Sequence, residues 1–324
     1  MGAEVEGAAL AESGGMAAAG RGGGGLADPP GGGVVASMQA DVERALELLI
    51  EREMDGLPPA VGDPIRYAVL GPGKRLRPLL LIGAYRACGG RHAGVAELAC
   101  SVELVHAYSL AHDDLPCMDD DVLRRGRPTL HVRFGVPAAV LAGAALMPLA
   151  VRTIWHAGET LGLPETAVRR LITTLTTAAG ARAMVGGQLL DLRAEGRRVM
   201  REELERIHAG KTAALIAASV VMGGIAAGAE EEVLAGLSRF GYRLGLAFQA
   251  VDDILDLTGT DQELGKQSGR DVALGKATYP ALFGLEEAER ISRELAERAR
   301  RELDRFPNGV ELREIADYVI RRRR

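Results

Sequence analysis

The chain has 324 residues, of which 47% are hydrophobic, 26% charged and 4% aromatic, a composition typical of a soluble globular protein that favours helices over strands. Its length allows one large domain or two small ones, and either would bury a sizeable core. The formal net charge of −5 gives no general attraction to nucleic acid, so a nucleic-acid partner is not expected.

The beginning of the chain lacks helical patterning. Residues 22–33 are rich in glycine, and the basic segment and apolar core of a secretory signal are missing. We therefore expect residues 1–37 to be a disordered tail and residues 38–324 to form a single folded domain. Cys88, Cys100 and Cys117 lack the spacing of a disulfide framework or a zinc site, so a reducing cytoplasm is the expected location.

From Met38 onward, apolar residues recur at helical spacing, and the domain is predicted to be all-α. The first helix contains Val42, Leu46 and Leu49. Later helices are predicted over residues 77–88, 95–112, 138–161, 165–193, 201–227, 230–257 and 281–306. Two uncharged stretches, residues 134–151 and 212–229, reach the lower length limit of a membrane span. Both are rich in alanine and glycine, so we interpret them as buried core helices and expect no membrane span.

Residues 71–78 form a flexible loop that carries Lys74, Arg75 and Arg77 ahead of an apolar helix. Such a loop suits a phosphate ligand. A nucleotide-binding P-loop is excluded, because Ala68 stands where its first glycine would be and Arg75 follows Lys74 in place of Ser or Thr.

Five aspartates crowd residues 113–121, directly after an apolar helical run. Two carboxylates about 4 Å apart repel by roughly 4 kcal/mol at an effective dielectric of 20, so this crowding favours a bound cation. Oxygen ligands select magnesium or calcium over zinc. Pro116 is expected to end or bulge the helix and let the two aspartate pairs converge. Taken alone, the cluster is also compatible with a solvated acidic turn.

A second acidic cluster, Asp252, Asp253 and Asp256, lies inside an apolar helix. Asp252 and Asp256 share one helical face, and charges in an apolar run are costly to bury unless they are paired or bind metal. Two such clusters facing one another could hold a magnesium–diphosphate complex. Arg124 and Arg125 follow the first cluster and offer donors for a second anion. Further cations are Lys211, Lys266 and Lys276.

Together these motifs resemble the trans-prenyltransferase family of farnesyl and geranylgeranyl diphosphate synthases, from about Gly71 to the end of the chain. The matching segments are residues 73–78, both aspartate-rich motifs, residues 124–126, residues 186–188, Lys211-Thr212, and residues 264–266 continuing through Gly269, Asp271 and residues 276–280. The resemblance implies the isoprenoid synthase fold, a large helical bundle around a deep central cavity, usually in a homodimer. The two aspartate motifs would face each other across the mouth of that cavity.

The resemblance also assigns roles by matching position. Isopentenyl diphosphate would be held by Lys74, Arg77, His106 and Arg125, although His106 could instead be a core histidine. Magnesium, three ions per site with manganese as a substitute, would be held by Asp113, Asp119, Asp252 and Asp256, with Asp114 and Asp253 assisting. The allylic diphosphate site would be completed by Arg124, Lys211, Thr212, Gln249, Lys266 and Lys276.

The implied reaction is head-to-tail condensation of isopentenyl diphosphate with a C5 or C10 allylic diphosphate, and it needs no protein nucleophile. Tyr108 stands about one turn before Asp113, where a growing product tail would meet it. Relatives with tyrosine here resemble bacterial farnesyl synthases, so C15 is the predicted product and C20 the second candidate. Ala144, Pro148 and Ala183 depart from the family pattern and put efficiency in doubt.

Three alternatives fit less well. A terpene cyclase would share the fold and the first acidic motif but has no need of the Lys74 and Arg77 loop. A non-catalytic partner subunit would be expected to carry damaged acidic motifs, and both are intact here. A calcium-binding module would need the glycine and glutamate spacing of an EF-hand loop.

Overall fold

The computed structural model describes residues 33–260 and 269–321, and within them the fold is all-α, as the sequence predicts. The helices are α1 (Val34–Met54), α2 (Pro59–Val69), α3 (Leu76–Ala87), α4 (Val95–Asp113), α5 (Leu130–Phe134), α6 (Val136–Thr160), α7 (Glu165–Ala179), α8 (Met184–Ala194), α9 (Arg201–His208), α10 (Ala214–Ala226), α11 (Glu231–Thr258), α12 (Arg270–Ala273), α13 (Tyr279–Phe283), α14 (Leu285–Glu302) and α15 (Val310–Arg321). A two-stranded antiparallel hairpin joins β1 (Leu123–Arg124) to β2 (Arg127–Pro128).

The first helix begins at Val34, four residues before the predicted start at Met38. Val35 and Met38 are fully buried in the main hydrophobic cluster, which explains why the helix begins directly after the glycine-rich segment. The rest of the predicted tail, residues 1–32, lies outside the described residues.

Helices α3, α4 and α10 lie at the centre of the bundle. Helix α4 packs along α6, and α10 packs against α3, α7 and α11. Close approach depends on glycine, because a Cβ on Gly223 of α10 would collide with the Leu81 carbonyl of α3. Likewise, a Cβ on Gly241 of α11 would press on the backbone of Ala217 in α10. The glycine content of these helices therefore serves tight helix packing.

Two helical stretches, Val136–Thr160 and Arg201–Ala226, are long and apolar enough to pass for membrane spans by length and composition alone. In the second stretch, 67% of the most apolar window is buried, in agreement with the core-helix interpretation. In the first stretch only 44% is buried. The prediction of a buried core helix therefore holds for one side of α6, and the other side is exposed.

Candidate active site

Arg75, in the basic loop before α3, is an internal anchor of that loop. It adopts a left-handed backbone conformation with φ of 48°. Its guanidinium donates to Glu43 at 2.8 and 3.1 Å, to Glu103 at 2.8 Å and to the Gly71 carbonyl at 2.7 Å. Burial alone would lower the pKa of Arg75, but Glu103 and Glu43 raise it overall. Arg75 thus fixes the loop between α2 and α3 from the inside.

Arg77, His106 and Arg125 form a positive cluster beside this loop. Arg125 donates to the Pro72 carbonyl at 2.7 Å, and its Nη2 lies 3.5 Å from His106 Nε2. Burial, with a smaller contribution from Arg125, lowers the pKa of Arg77 to about 10, and Glu103 opposes that shift. Burial, together with Arg77 and Arg125, also lowers the pKa of His106 well below its usual value. Two buried arginines that repel each other indicate a site for an anion.

Lys74 points toward the last helix, with its Nζ 5.5 Å from the centre of the Tyr318 ring. Gly73 of this loop has no room for a side chain, since a Cβ there would collide with the Arg125 guanidinium. The loop and the arginine after the first acidic motif are therefore packed directly against each other.

The first acidic motif turns back on itself where α4 ends at Asp113. The Asp119 amide donates to the Asp113 carbonyl at 2.9 Å. This hydrogen bond brings the two predicted metal ligands close together. Asp120 closes the turn with a left-handed φ of 50°. This is the convergence expected from the helix-ending Pro116.

Asp114, predicted to assist the metal ligands, is paired with Arg124. Its buried carboxylate accepts two hydrogen bonds from Arg124, which also donates to Asp121 at 2.8 Å. Burial raises the pKa of Asp114, and Arg124 opposes that shift. In this arrangement Asp114 orients Arg124.

Two lysines lie among the carboxylates near the first motif. Lys276 Nζ donates to Asp119 at 3.0 Å, and Lys211 Nζ donates to Asp191 at 2.6 Å. Burial disfavours the charge on Lys211, but Asp191, Asp113 and Asp119 raise its pKa overall. The structure thus brings four predicted residues, Asp113, Asp119, Lys211 and Lys276, into one electrostatic unit.

Asp191 is a member of this unit that was not predicted. Burial favours its neutral form, yet Lys211 and Lys276 lower its pKa below the usual value. The sequence feature that could have identified Asp191 is its charge within the run of leucines that follows Gly186-Gly187-Gln188. A buried charge of this kind needs a partner, as in the second acidic motif.

The second acidic motif lies on α11, where Asp253 is turned into the protein. Asp253 accepts from Gln249 at 2.9 Å and from the Tyr279 amide at 3.0 Å, and His208 Nε2 lies 3.4 Å away. Gln249 in turn accepts from Thr212 at 2.7 Å. Asp253 therefore ties α11 to the segment that carries Lys276.

The other two aspartates of this motif, Asp252 and Asp256, lie near other residues that the motifs predict for the site. The Asp256 carboxylate accepts from the Asp271 amide at 3.1 Å. Asp252 is close enough to Arg77 to favour its charged form. The second motif thus borders the region of the positive cluster.

A π-helical turn, Ala209–Ala213, connects the surroundings of the two acidic motifs. Its consecutive residues Lys211 and Thr212 reach Asp191 on one side and Gln249 on the other. Such wide turns occur frequently at functional sites because they shift side-chain register within a continuous helix. The turn therefore links the surroundings of Asp113 to Asp253 of the second motif, since Lys211 lies near Asp113 and Gln249 donates to Asp253.

The donor set fits a hard divalent cation. Burial raises the pKa of Asp113 to about 6, with Asp119 and Asp114 adding to the shift, so a cation here would relieve crowded negative charge. Among the described residues, no group of three or more His, Cys, Asp or Glu side chains is arranged to hold a metal alone. Magnesium commonly takes one or two carboxylates plus phosphate oxygens, and this arrangement is compatible with that mode.

Tyr108 lies on α4, half-buried against the core, in the helix that leads to Asp113. Its ring meets His112 edge to face at 4.9 Å, and His112 lies 3.1 Å from the Val140 carbonyl of α6. A Cβ on Gly143 would collide with the His112 ring. Tyr108 is therefore backed by a tightly packed α4–α6 contact.

The sequence analysis also named Lys266, Ala144, Pro148 and Ala183. Lys266 lies outside the described residues. Ala144 and Pro148 lie on the exposed side of α6, and Ala183 precedes the first residue of α8.

Residues 58–311 match the polyprenyl synthetase family. The chain is 46% identical over 265 residues to geranylgeranyl pyrophosphate synthase 12, chloroplastic, of Arabidopsis thaliana, across 81% of this chain and 72% of that protein. It is 45% identical over 270 residues to farnesyl diphosphate synthase of Escherichia coli, across 81% of this chain and 89% of that protein.

Among solved structures, a similar one is geranyltransferase from Helicobacter pylori complexed with magnesium and isoprenyl diphosphate. The TM-score is 0.79 at 31% identity, over 91% of this chain and 99% of that one. An FPP/GFPP synthase from Zymomonas mobilis gives 0.78 at 33% identity, over 88% and 98%. The names of these relatives divide between products of different length.

Proposed function

Because the chain belongs to the polyprenyl synthetase family and is a head-to-tail prenyl diphosphate synthase, we propose that its main product is farnesyl diphosphate, C15. The substrates would be isopentenyl diphosphate and C5 or C10 allylic diphosphates. Geranylgeranyl diphosphate, C20, is the second candidate, since several relatives carry that name.

The residues fall into two anion sites. Lys74, Arg77, His106 and Arg125 would bind isopentenyl diphosphate, and the repulsion between Arg77 and Arg125 supports this assignment. The allylic diphosphate would lie between the acidic motifs. Its oxygens would be bound by Arg124, Lys211, Lys266 and Lys276, with Thr212 and Gln249 beside them.

Magnesium would be held by Asp113 and Asp119 on one side and by Asp252 and Asp256 on the other. We propose three ions per site, with manganese as a substitute. Magnesium, when bound, would neutralise charge on the diphosphate. Asp114 and Asp253 would act indirectly, because Asp114 holds Arg124 and Asp253 holds the Tyr279 backbone.

The chain's cations would stabilise the departing diphosphate while the allylic C–O bond breaks and both bonding electrons leave with oxygen. The isopentenyl double bond then forms the new C1′–C4 bond, and a proton lost from C2 goes to the released diphosphate. Apolar helices around the site would keep water from the allylic cation.

The observation that carries the C15 proposal is the position of Tyr108, whose ring packs edge to face on His112, which in turn packs closely against Gly143 of α6. Purified protein should therefore release mainly C15 alcohol after phosphatase treatment. Tyr108→Ala should shift the products toward C20, because removing the ring lengthens the space below Asp113.

Exposed Tyr242 supplies the matched control, and Tyr242→Ala should leave the product pattern unchanged. A wild type that makes C20, or a Tyr108→Ala variant with no lengthening, would reject the C15 proposal. Omission of magnesium should abolish product in each protein.

We also propose that the chain forms a homodimer and acts in the cytoplasm. The exposed side of α6 supports the dimer, since it presents Val140, Leu141 and Trp155 on one helical face. The three cysteines, all free, fit a reducing compartment.

A further inference from the structure

Arg270, the first residue of α12, contacts the first acidic motif across about 150 residues of chain. Its Nε donates to the Asp121 carboxylate at 2.9 Å. Its Nη2 donates to the main-chain carbonyls of Asp119 and Asp120 at 2.7 and 2.9 Å. The planar guanidinium thus binds one side chain and two peptide groups at once, which a lysine could not do with the same geometry.

The residues on either side of Arg270 bind the second acidic motif. The Gly269 amide donates to the Asp256 carbonyl at 2.9 Å, and the Asp271 amide donates to the Asp256 carboxylate at 3.1 Å. Three consecutive residues therefore connect Asp256 to the turn that carries Asp119. Further along, Lys276 donates its amide to the Asp271 carbonyl at 2.9 Å and its Nζ to Asp119.

The turn held by Arg270 is one that needs support. Asp120 has a φ of 50°, a conformation that costs a non-glycine residue free energy. Arg270 donates to the carbonyls of the two peptide links that flank Asp120, those of Asp119 and Asp120. These contacts hold the backbone in the shape that returns Asp119 to Asp113.

We propose that Arg270 is a positioning residue that sets the separation of the two acidic motifs before magnesium and diphosphate bind. This inference rests on the proposed function, in which Asp119 and Asp256 lie on opposite sides of the magnesium–diphosphate complex. Arg270 itself contacts neither ion nor substrate. Its effect passes through the Asp119–Asp121 backbone and through Asp256.

The test compares the full-length wild type with Arg270→Gln and Arg270→Lys, and uses Arg290→Gln as the control. Arg290 is an exposed arginine that pairs with Glu287 and Glu294 on its own helix. Magnesium is titrated calorimetrically into each protein with inorganic pyrophosphate at a fixed concentration. The magnesium concentration for half-maximal turnover and the KM for isopentenyl diphosphate are measured in parallel.

Arg270→Gln should weaken magnesium-dependent pyrophosphate binding by about 10-fold to 100-fold, as is usual for residues that orient metal ligands. The KM for isopentenyl diphosphate should change by less than about twofold, because Lys74 and Arg125 make their contacts with other parts of the chain. Arg270→Lys should stay close to Arg270→Gln, since charge without the guanidinium fork leaves the carbonyls unheld.

Wild-type binding in Arg270→Gln, or full recovery in Arg270→Lys, would overturn the inference. Equal loss at both substrate sites with a lower melting temperature would also overturn it, because that pattern marks general destabilisation. A wild type without magnesium-dependent pyrophosphate binding or product would instead reject the proposed function, and the two failures are thereby distinguishable.

Discussion

Burial of the Asp113 carboxylate lowers the free energy of unfolding when no cation is bound. Burial, with Asp119 and Asp114 nearby, raises its pKa from 3.8 to about 6. Because the folded-state pKa is raised, the contribution of Asp113 to stability is fully present below pH 3.8 and is lost as the pH rises through 6. At neutral pH the folded state therefore carries an unfavourable charge.

Asp113→Asn should consequently stabilise the metal-free protein at pH 7.5, by roughly 1 to 3 kcal/mol after allowance for partial exposure. The gain should shrink as the pH is lowered toward 4. Urea denaturation in EDTA at both pH values measures it, with Asp41→Asn on α1 as the control. An unchanged or lower stability at pH 7.5 would contradict this reading, and turnover should be lost in either case.

Residue types in the site were predictable from sequence, whereas side-chain directions were not. Asp113, Asp119, Lys211 and Lys276 lie together as the motif pattern indicates. Asp114, predicted to assist the metal ligands, pairs with Arg124, a partner that the motif pattern alone does not indicate. Arg270 was not predicted, since its partners are distant in sequence.

At the scale of elements, the short hairpin depends on Tyr67 of α2. The Tyr67 hydroxyl donates to the Pro128 carbonyl at 2.7 Å, and the Arg127 guanidinium lies 4.0 Å from the ring centre. The turn between the two strands carries Arg125, one of the proposed isopentenyl diphosphate ligands. Tyr67 therefore holds the hairpin in place for that ligand.

Tyr67→Leu should raise the KM for isopentenyl diphosphate about threefold to tenfold, because a cation–π contact and a hydrogen bond of about 1 kcal/mol each are lost. Tyr67→Phe keeps the ring and should show a smaller rise. The magnesium concentration for half-maximal turnover should stay at the wild-type value in both. Steady-state kinetics with varied isopentenyl diphosphate would contradict this if neither variant changed KM.

Helix α4 was predicted within one residue, since residues 95–112 form an unbroken apolar run that ends at acidic residues and a proline. Two other predicted helices are each divided. Residues 165–193 break at Gly180, and residues 201–227 contain the π-helical turn, which leaves apolar periodicity almost unchanged. Helix α2 was not predicted, because Pro59 and Pro64 read as breakers although Pro59 occupies a first-turn position.

At the scale of the whole molecule, the two sides of α6 have different surroundings. Its inner side packs on α4, while Leu141 is 70% exposed and Trp155 is 47% exposed on the outer side. Ala144 and Pro148, the departures from the family pattern, lie on the same outer face. An alanine where an aspartate is usual makes this face more apolar, and an apolar face favours burial against a second copy of the chain.

Leu141→Glu should therefore shift the protein from dimer to monomer, with a dimer dissociation constant raised by at least about tenfold, since a charge on a two-fold interface is placed there twice. Leu48→Glu on α1, also a highly exposed leucine, is the matched control and should leave the mass unchanged. Size-exclusion chromatography with light scattering over a range of concentrations gives the mass. A monomeric wild type would reject the dimer, and a dimeric Leu141→Glu variant would move the interface to another face. The residues proposed to bind substrate come from a single chain, so a monomeric variant that folds should retain part of its activity, and this separates assembly from chemistry.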